Sequence, residues 1–399
     1  MLKTNMYCIT IVIYLCSFYM YSYIGAIPRA VITMGMLLST LLVIAQRKLK
    51  PNKQFLLITL GTIVPLLTFV IRNYDIQNGY YGRFLCFTTA VFLIVSLYAY
   101  DDWIPICVYS YKWIGSLFAI FTIINGVAPV ARVMASKFFR TAGDLFLDTS
   151  SRVYNAGIAI TVATNALYLV VGIITILFSY RSNIITKLMG VSIGTVALLL
   201  TGKRGQFLAC VIAILGTLII KAKPNIKRIM WVLVILLVPL YIAIIFSCDL
   251  IPDVSFIFDN DATSGRTALY YRAIELFMQN PLWGNGWASY RYLSNMVYLN
   301  NYYEVHNVYL QLLAETGVIG FLIFITIFSK ILWTCVNTYH KIHDDDMSSF
   351  LAISIAGQSF MLIYSLTGNV LYDQLYLIAY AVFCAMGLAC CHKYSLSSK

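Results

Sequence analysis

The chain has 399 residues, of which 60% are hydrophobic and 11% charged, and its mean hydropathy is +0.80; soluble domains carry about a quarter charged residues, so a soluble enzyme is excluded. The formal net charge of +12 lies in short stretches between apolar runs and not in a basic soluble domain, which excludes a nucleic-acid-binding protein. The ten cysteines are scattered, mostly within apolar runs and without metal-ligand spacing, so neither a disulfide scaffold nor a zinc site is expected.

An α-helical span needs about 20 mostly apolar residues. Twelve runs approach this length: 6–26, 30–46, 54–71, 84–100, 104–126, 156–179, 184–200, 206–221, 229–247, 318–336, 350–369 and 373–391. The expected fold class is an all-α polytopic membrane protein of about twelve transmembrane helices, a single membrane domain over residues 1–399. The first run lacks a small-residue cleavage site and passes straight into the second, so it reads as a retained span and not a signal peptide. The fifth is the weakest, because it carries Pro105 and Lys112.

Lysine and arginine in short loops set orientation. Arg47, Lys48, Lys50 and Lys53 follow the second run, Arg181 and Lys187 the sixth, Lys221, Lys223, Lys227 and Arg228 the eighth, and Lys393 and Lys399 end the chain. With twelve spans all fall on one side, expected to be cytoplasmic together with both termini. The other face then receives the 72–83 loop, the 128–155 segment, the turn Thr201-Gly202-Lys203-Arg204-Gly205, a polar island at 248–317 and the short 368–373 turn. That island is one large extracytoplasmic loop within the membrane domain. Roughly 70 residues is far more than two helices need to be joined, and its Trp, Tyr and Leu content argues against disorder.

Within the island, Thr263 or Ser264 can cap a helix that runs to about Gln279, where Pro281 stops it. Leu269, Ala273, Leu276 and Phe277 make one apolar face, so this helix should lie on the bundle or at the bilayer surface. Asn307 can cap a second helix, with Gly317 as its stop.

Several polar groups on this face can carry chemistry. Lys203 and Arg204 stand at a helix N-terminus, where the backbone already favours an anion; they are either an anion site or interfacial cations snorkelling to headgroups. Arg266 is a cation in a first helical turn, where a carboxylate would be the stabilising choice. It either pairs with Asp259 or Asp261 or, with Arg204, clamps a pyrophosphate through its bidentate fork. His306 is the one imidazole expected on this face, because His340, His343 and His392 fall on the other. It is the candidate general base, or else a local cap, and Glu304 and Glu315 could orient it or act instead. Arg272 and Arg291, like Arg72, Arg83, Arg132, Arg140 and Arg152, are further outer cations. The D-x-D pattern of Asp344-Asp345-Asp346 reads as a solvated turn, with a divalent-metal site as the alternative. Trp283, Trp287, Tyr290, Tyr292, Tyr302 and Tyr303 either stack on sugars or form an interfacial belt.

Taken in order, Thr201-Gly202-Lys203-Arg204-Gly205, then Ser264-Gly265-Arg266 with Asn280-Pro281-Leu282-Trp283-Gly284-Asn285-Gly286, then His306-Asn307-Val308-Tyr309-Leu310 leading to Glu315-Thr316-Gly317-Val318-Ile319-Gly320, the chain resembles the O-antigen ligase and polymerase superfamily of bacterial polysaccharide assembly. The match covers about residues 195–325, and Lys203 stands where that family commonly has a small polar residue. The resemblance implies a GT-C-like, inverting and metal-independent glycosyltransferase of the bacterial cytoplasmic (inner) membrane, without a cofactor, whose partners are the lipid bilayer and an undecaprenyl-diphosphate-linked oligosaccharide. It implies that His306 serves the acceptor hydroxyl and that Arg204 and Arg266 serve the diphosphate, with Lys203, Arg272, Arg291, Asn307 and Glu315 as substrate-binding candidates. A chain-length regulator and a flippase are candidate protein partners. The leading expectation is a polymerase of O-antigen, capsular or exopolysaccharide repeat units. A ligase that transfers glycan to the lipid A core is the alternative within the family, and a lipid-oligosaccharide flippase or transporter the alternative of another class.

Overall fold

The computed structural model describes residues 80–98, 101–128, 155–159, 161–180, 182–222, 266–294, 297–298 and 301–397. The runs expected at 6–26, 30–46, 54–71 and 229–247 lie outside the described residues, as do Arg72, Arg132, Arg140, Arg152, Asp259, Asp261, Thr263, Ser264 and Gly265.

In chain order the helices are α1 (Tyr80–Leu97), α2 (Ile104–Val127), α3 (Val162–Phe178), α4 (Ile184–Leu200), α5 (Arg204–Lys221), α6 (Arg266–Gln279), the single turn α7 (Tyr290–Leu293), α8 (Val308–Tyr339), α9 (Asp345–Tyr364) and α10 (Gln374–Ser397). A two-residue antiparallel pairing, β1 (Val297–Tyr298) with β2 (Asn301–Tyr302), precedes α8. The eight long helices other than α6 coincide with the other eight expected spans. Of these, α2, α5, α8, α9 and α10 are long and apolar enough to cross a membrane, and α1, α3 and α4 contain shorter apolar stretches. The fifth expected span, the weakest in sequence, forms a full helix because Pro105 sits in its first turn, where the missing N–H has no partner to lose. Lys112 reaches the hydroxyls of Ser179 and Ser182.

Helix starts follow the capping chemistry of the sequence. Thr161, Asn183, Asn307 and Asp344 each accept a backbone N–H with a side-chain oxygen at the start of α3, α4, α8 and α9. In lipid the tails are as apolar as leucine, so association rests on close packing and small residues. Gly115 of α2 meets Gly172 of α3 so closely that an added Cβ would lie 2.3 Å from the Gly172 Cα. Helix α10 is the axis of the bundle, buried along most of its length against α1, α8 and α9.

Helices α1 to α5, and again α8 to α10, alternate in direction and give the bundle two unlike ends. At one, Lys393 of α10 pairs with Asp101, His392 meets Tyr98, and Ser349 at the start of α9 donates to the Phe178 carbonyl at the end of α3. Lys187 and Lys221 act on each other there, and Asp344 caps α9, accepting from the Met347 N–H at 2.7 Å. At the other end the starts of α3, α5, α8 and α10 meet the end of α9, through Gln206, which donates to Tyr376 and Tyr364, and Tyr376, which donates to the Ala163 carbonyl.

Gly317 does not stop its helix as the sequence suggested; it breaks it. Helix α8 runs from Val308 to Tyr339, with one non-helical residue at Gly317 (φ 65°, ψ −172°). The 281–286 loop closes the break from both sides. Pro281 and Leu282 carbonyls accept from the Val318 and Ile319 N–H groups, at 2.8 and 3.3 Å, while Asn285 and Gly286 N–H groups donate to the Ala314 and Glu315 carbonyls, at 3.0 and 2.8 Å. The backbone groups orphaned by the break are thus paired. A Cβ on Gly317 would lie 2.3 Å from the Leu282 oxygen, and one on Gly284 2.3 Å from the Glu315 carbonyl carbon, so both glycines are required by close approach as well as by positive φ. The P-L-W-G-N-G and E-T-G motifs are therefore two halves of one interlock that fixes α6 to α8.

Candidate functional site

Four segments meet at the Gln206 end of the bundle: the turn Thr201–Lys203, the start of α6, the approach to α8, and the connection 365–373 between α9 and α10. The last is their common backing. The Gly205 Cα comes so near Thr367 that a Cβ there would lie 2.8 Å from its hydroxyl. Arg266 Nη1 donates to the Thr367 carbonyl at 3.0 Å, and the Val308 N–H donates to the Ser365 carbonyl at 2.8 Å. His306 Nδ1 lies 3.1 Å from Asn369 Nδ2. His306 itself has φ +57°, a left-handed conformation uncommon for a residue with a Cβ; it turns the chain just before the Asn307 cap.

The electrostatics of this corner are positive. Lys203 is the residue before α5 and Arg266 the first of α6, so both cations stand where helix dipoles already point their positive ends. Burial lowers the Lys203 pKa, and the nearby Arg266 lowers it further. The His306 imidazole is pushed down to about 4, chiefly by burial and then by Arg266, with Lys203 adding to the effect and Glu304 opposing it. At neutral pH the imidazole is therefore uncharged, as a proton acceptor must be. A corner with two half-buried cations and a neutral base suits an anionic ligand that carries a nearby hydroxyl.

The carboxylates take structural roles. Glu304 pairs with Arg83 of α1 and accepts from Gln311 Nε2 at 2.7 Å. Glu315 is fully buried and accepts from the Ala288 and Tyr290 N–H groups, from Gln311 and from the Tyr372 hydroxyl, at 2.7, 3.2, 3.0 and 2.7 Å. It ties the loop after α6, helix α8 and the 365–373 connection together. Glu315→Ala would orphan these donors at about 1–3 kcal/mol each. We expect a clearly lower thermal midpoint in detergent for Glu315→Ala, and a smaller drop for Glu315→Gln, which keeps one acceptor oxygen.

The other expected site residues are placed as follows. Arg204 is exposed in the first turn of α5, beside the half-buried Lys203. Arg272 bonds Glu275 at 2.8 Å and the Leu293 carbonyl at 3.0 Å, joining α6 to α7. Arg291 is half-buried in α7, and the Asn307 oxygen accepts the Tyr309 and Leu310 N–H groups as a cap. Trp287 and Tyr290 are core residues, 1% and 0% exposed. Trp287 stacks on Tyr372 and Phe324, so neither offers a face to a sugar, whereas Trp283 is 60% exposed. Asp344 lies at the opposite end from His306. Asn369, Thr367 and Tyr372 were not singled out by sequence reasoning, and Arg83 was named only as one of several outer cations. The polar string Thr367-Gly368-Asn369 between two apolar runs was the available signal.

No curated protein matches the chain. The O-antigen ligase family model matches residues 189–325, the stretch that supplies the Lys203 turn, α6, His306 and the interlock. Over residues 189–325 the chain is thus similar to the O-antigen ligase family, which supports the O-antigen ligase and polymerase superfamily.

Proposed function

We propose that the protein is a glycosyltransferase that joins undecaprenyl-diphosphate-linked repeat units into O antigen or a capsular or exopolysaccharide, at the outer face of the bacterial cytoplasmic membrane. The observation that carries this reading is the meeting of Lys203, Arg266 and a neutral His306 at one end of a membrane-type bundle, within the matched domain. In the reaction the acceptor hydroxyl attacks the anomeric carbon of the donor and loses its proton to His306. The bond from that carbon to the diphosphate breaks, and the diphosphate leaves with the electron pair, its charge met by Arg266 and Lys203. Arg204, at the same turn, is available to the diphosphate's solvent side. Cations held in place in a partly dry pocket do here what a metal does elsewhere, so chelators should leave the rate unchanged.

The membrane supplies the donor from one side. Helix α6 packs on α8 through Ala273 and Leu276, which cluster with Ala314 and Leu310, and turns Tyr271, Ile274 and Met278 outward, near in sequence to exposed Leu282 and Trp283. An exposed aromatic and aliphatic stripe of this kind suits the headgroup boundary. The lysine-rich end of the bundle would then face the cytoplasm, with twelve spans in all and both termini inside.

A ligase that transfers finished glycan to the lipid A core is the second reading, supported by the description of the matching family. The same chemistry serves both, since only the acceptor differs. Deleting the gene discriminates them: single repeat units still attached to core, with long chains lost, supports the polymerase, whereas absence of any attached repeat supports the ligase. A transporter is less well supported, because the cations gather at one end of the bundle and not at mid-membrane. An unchanged glycan profile in the deletion strain would reject both enzyme readings.

A further inference from the structure

The connection 365–373 lies beyond the matched residues 189–325, yet it touches both Arg266 and His306. We infer that Asn369 is the positioning residue of His306: its carboxamide oxygen accepts the imidazole Nδ1–H and so reserves the Nε2 lone pair for the acceptor hydroxyl. This rests on the glycosyltransferase reading above and extends it to a residue outside the matched domain.

Three observations support the assignment. The Asn369 amide and His306 Nδ1 are 3.1 Å apart, a full hydrogen bond, and the role of each atom depends on the tautomer. With the amide nitrogen turned toward the ring, the Asn369 oxygen is buried and has no hydrogen-bond partner among the described residues, a condition rare in folded proteins. The two orientations of a carboxamide have the same shape. Turning it by half a rotation gives that oxygen the Nδ1–H as its donor. Finally, a neutral imidazole has one donor and one acceptor nitrogen, and the proton on Nδ1 is what makes Nε2 the acceptor. Which ring nitrogen carries the proton is set by the hydrogen bond made at Nδ1.

The charged groups acting on the ring are Lys203 from the turn before α5, Arg266 from α6 and Glu304 from the ring's own segment. Asn369→Asp adds a carboxylate on Nδ1 that can only accept. It preserves the tautomer and, being negative, favours the imidazolium, so the acid limb of kcat/KM moves to higher pH. Asn369→Leu removes the partner.

The test uses full-length protein in lipid nanodiscs with ¹⁵N-labelled histidine, the His306 signals being identified by their loss in His306→Gln. We expect Nδ1 protonated and Nε2 bare in the wild type and in Asn369→Asp, and a tautomer mixture in Asn369→Leu. Turnover in Asn369→Leu should fall roughly 10- to 100-fold, on the scale seen when a functional histidine loses its outer partner, with the donor KM unchanged. A wild-type ring protonated on Nε2, or an acid limb that stays in place in Asn369→Asp, overturns the assignment. The nitrogen signals report the tautomer even if the wild type transfers no glycan, so failure of the functional reading would be seen separately.

Discussion

Replacing His306 with alanine lowers glycan transfer by about 10²- to 10⁴-fold, the range supplied by a positioned general base, while the donor KM changes little. The split follows from placement. The imidazole serves the acceptor hydroxyl, whereas the diphosphate is held by the cations at the starts of α5 and α6. The pH profile gives a sharper signature. Burial and the neighbouring Arg266 hold the imidazole at about 4, against roughly 6.5 for a free histidine. A base works only when deprotonated, so kcat/KM should stay level from about pH 8 down through 6 and fall only as the pH approaches 4. A limb near 6.5 would mean that another group, or a fully solvated histidine, carries the step. An unchanged rate in His306→Ala would reduce the residue to a turn before the Asn307 cap.

Arg266→Ala should cost about 10²- to 10³-fold in turnover, the scale of losing one preorganised donor to a developing anion. The guanidinium is anchored by its Nη1 bond to the Thr367 carbonyl at 3.0 Å, which aims the fork and lowers the cost of reorganisation during reaction. Arg266→Lys keeps the charge but not the planar fork, so it should recover only part of the rate. Both variants should insert and purify normally, because the side chain is half-buried and its bond to the Thr367 carbonyl is to a loop. Loss of Arg266 also removes a charge that depresses His306. The imidazole pKa should rise in Arg266→Ala, and the acid limb should move to higher pH together with the fall in rate. Near-normal transfer in this variant would remove the diphosphate site from this corner.

The sequence showed most of the bundle because the spans are long, apolar and separated by charged turns. Eight of the expected runs appear as helices, though the one expected at 318–336 begins at Val308 because it is continuous with the helix expected after Asn307. The cap at Asn307 was legible for the same reason, being local chemistry. What could not be read was tertiary. Gly317 looks like a helix stop, and only the arrival of the Pro281 and Leu282 carbonyls lets the helix resume after it. Glu315 looks like a second acid or base beside His306, yet four donors from three segments make it the internal acceptor of the fold. Trp287 reads equally well as sugar platform or core until Phe324 and Tyr372 are seen against it. Asn369 sits in a short polar turn of the kind found at the end of many spans, and its part depends on contact with a residue 63 positions earlier. Lys203 and Arg266 were visible as cations at helix starts, but the clamp was expected of Arg204 with Arg266, whereas Arg266 acts on the half-buried Lys203.

The most direct measurement is turnover of an undecaprenyl-diphosphate oligosaccharide by the purified full-length protein in detergent, with no membrane gradient. The wild type should release undecaprenyl diphosphate and build longer lipid-linked glycans, and His306→Ala and Arg266→Ala should do neither at a comparable rate. A wild-type protein that moves the lipid across a bilayer but never cleaves it, or variants that lengthen glycan as fast as the wild type, would contradict the account.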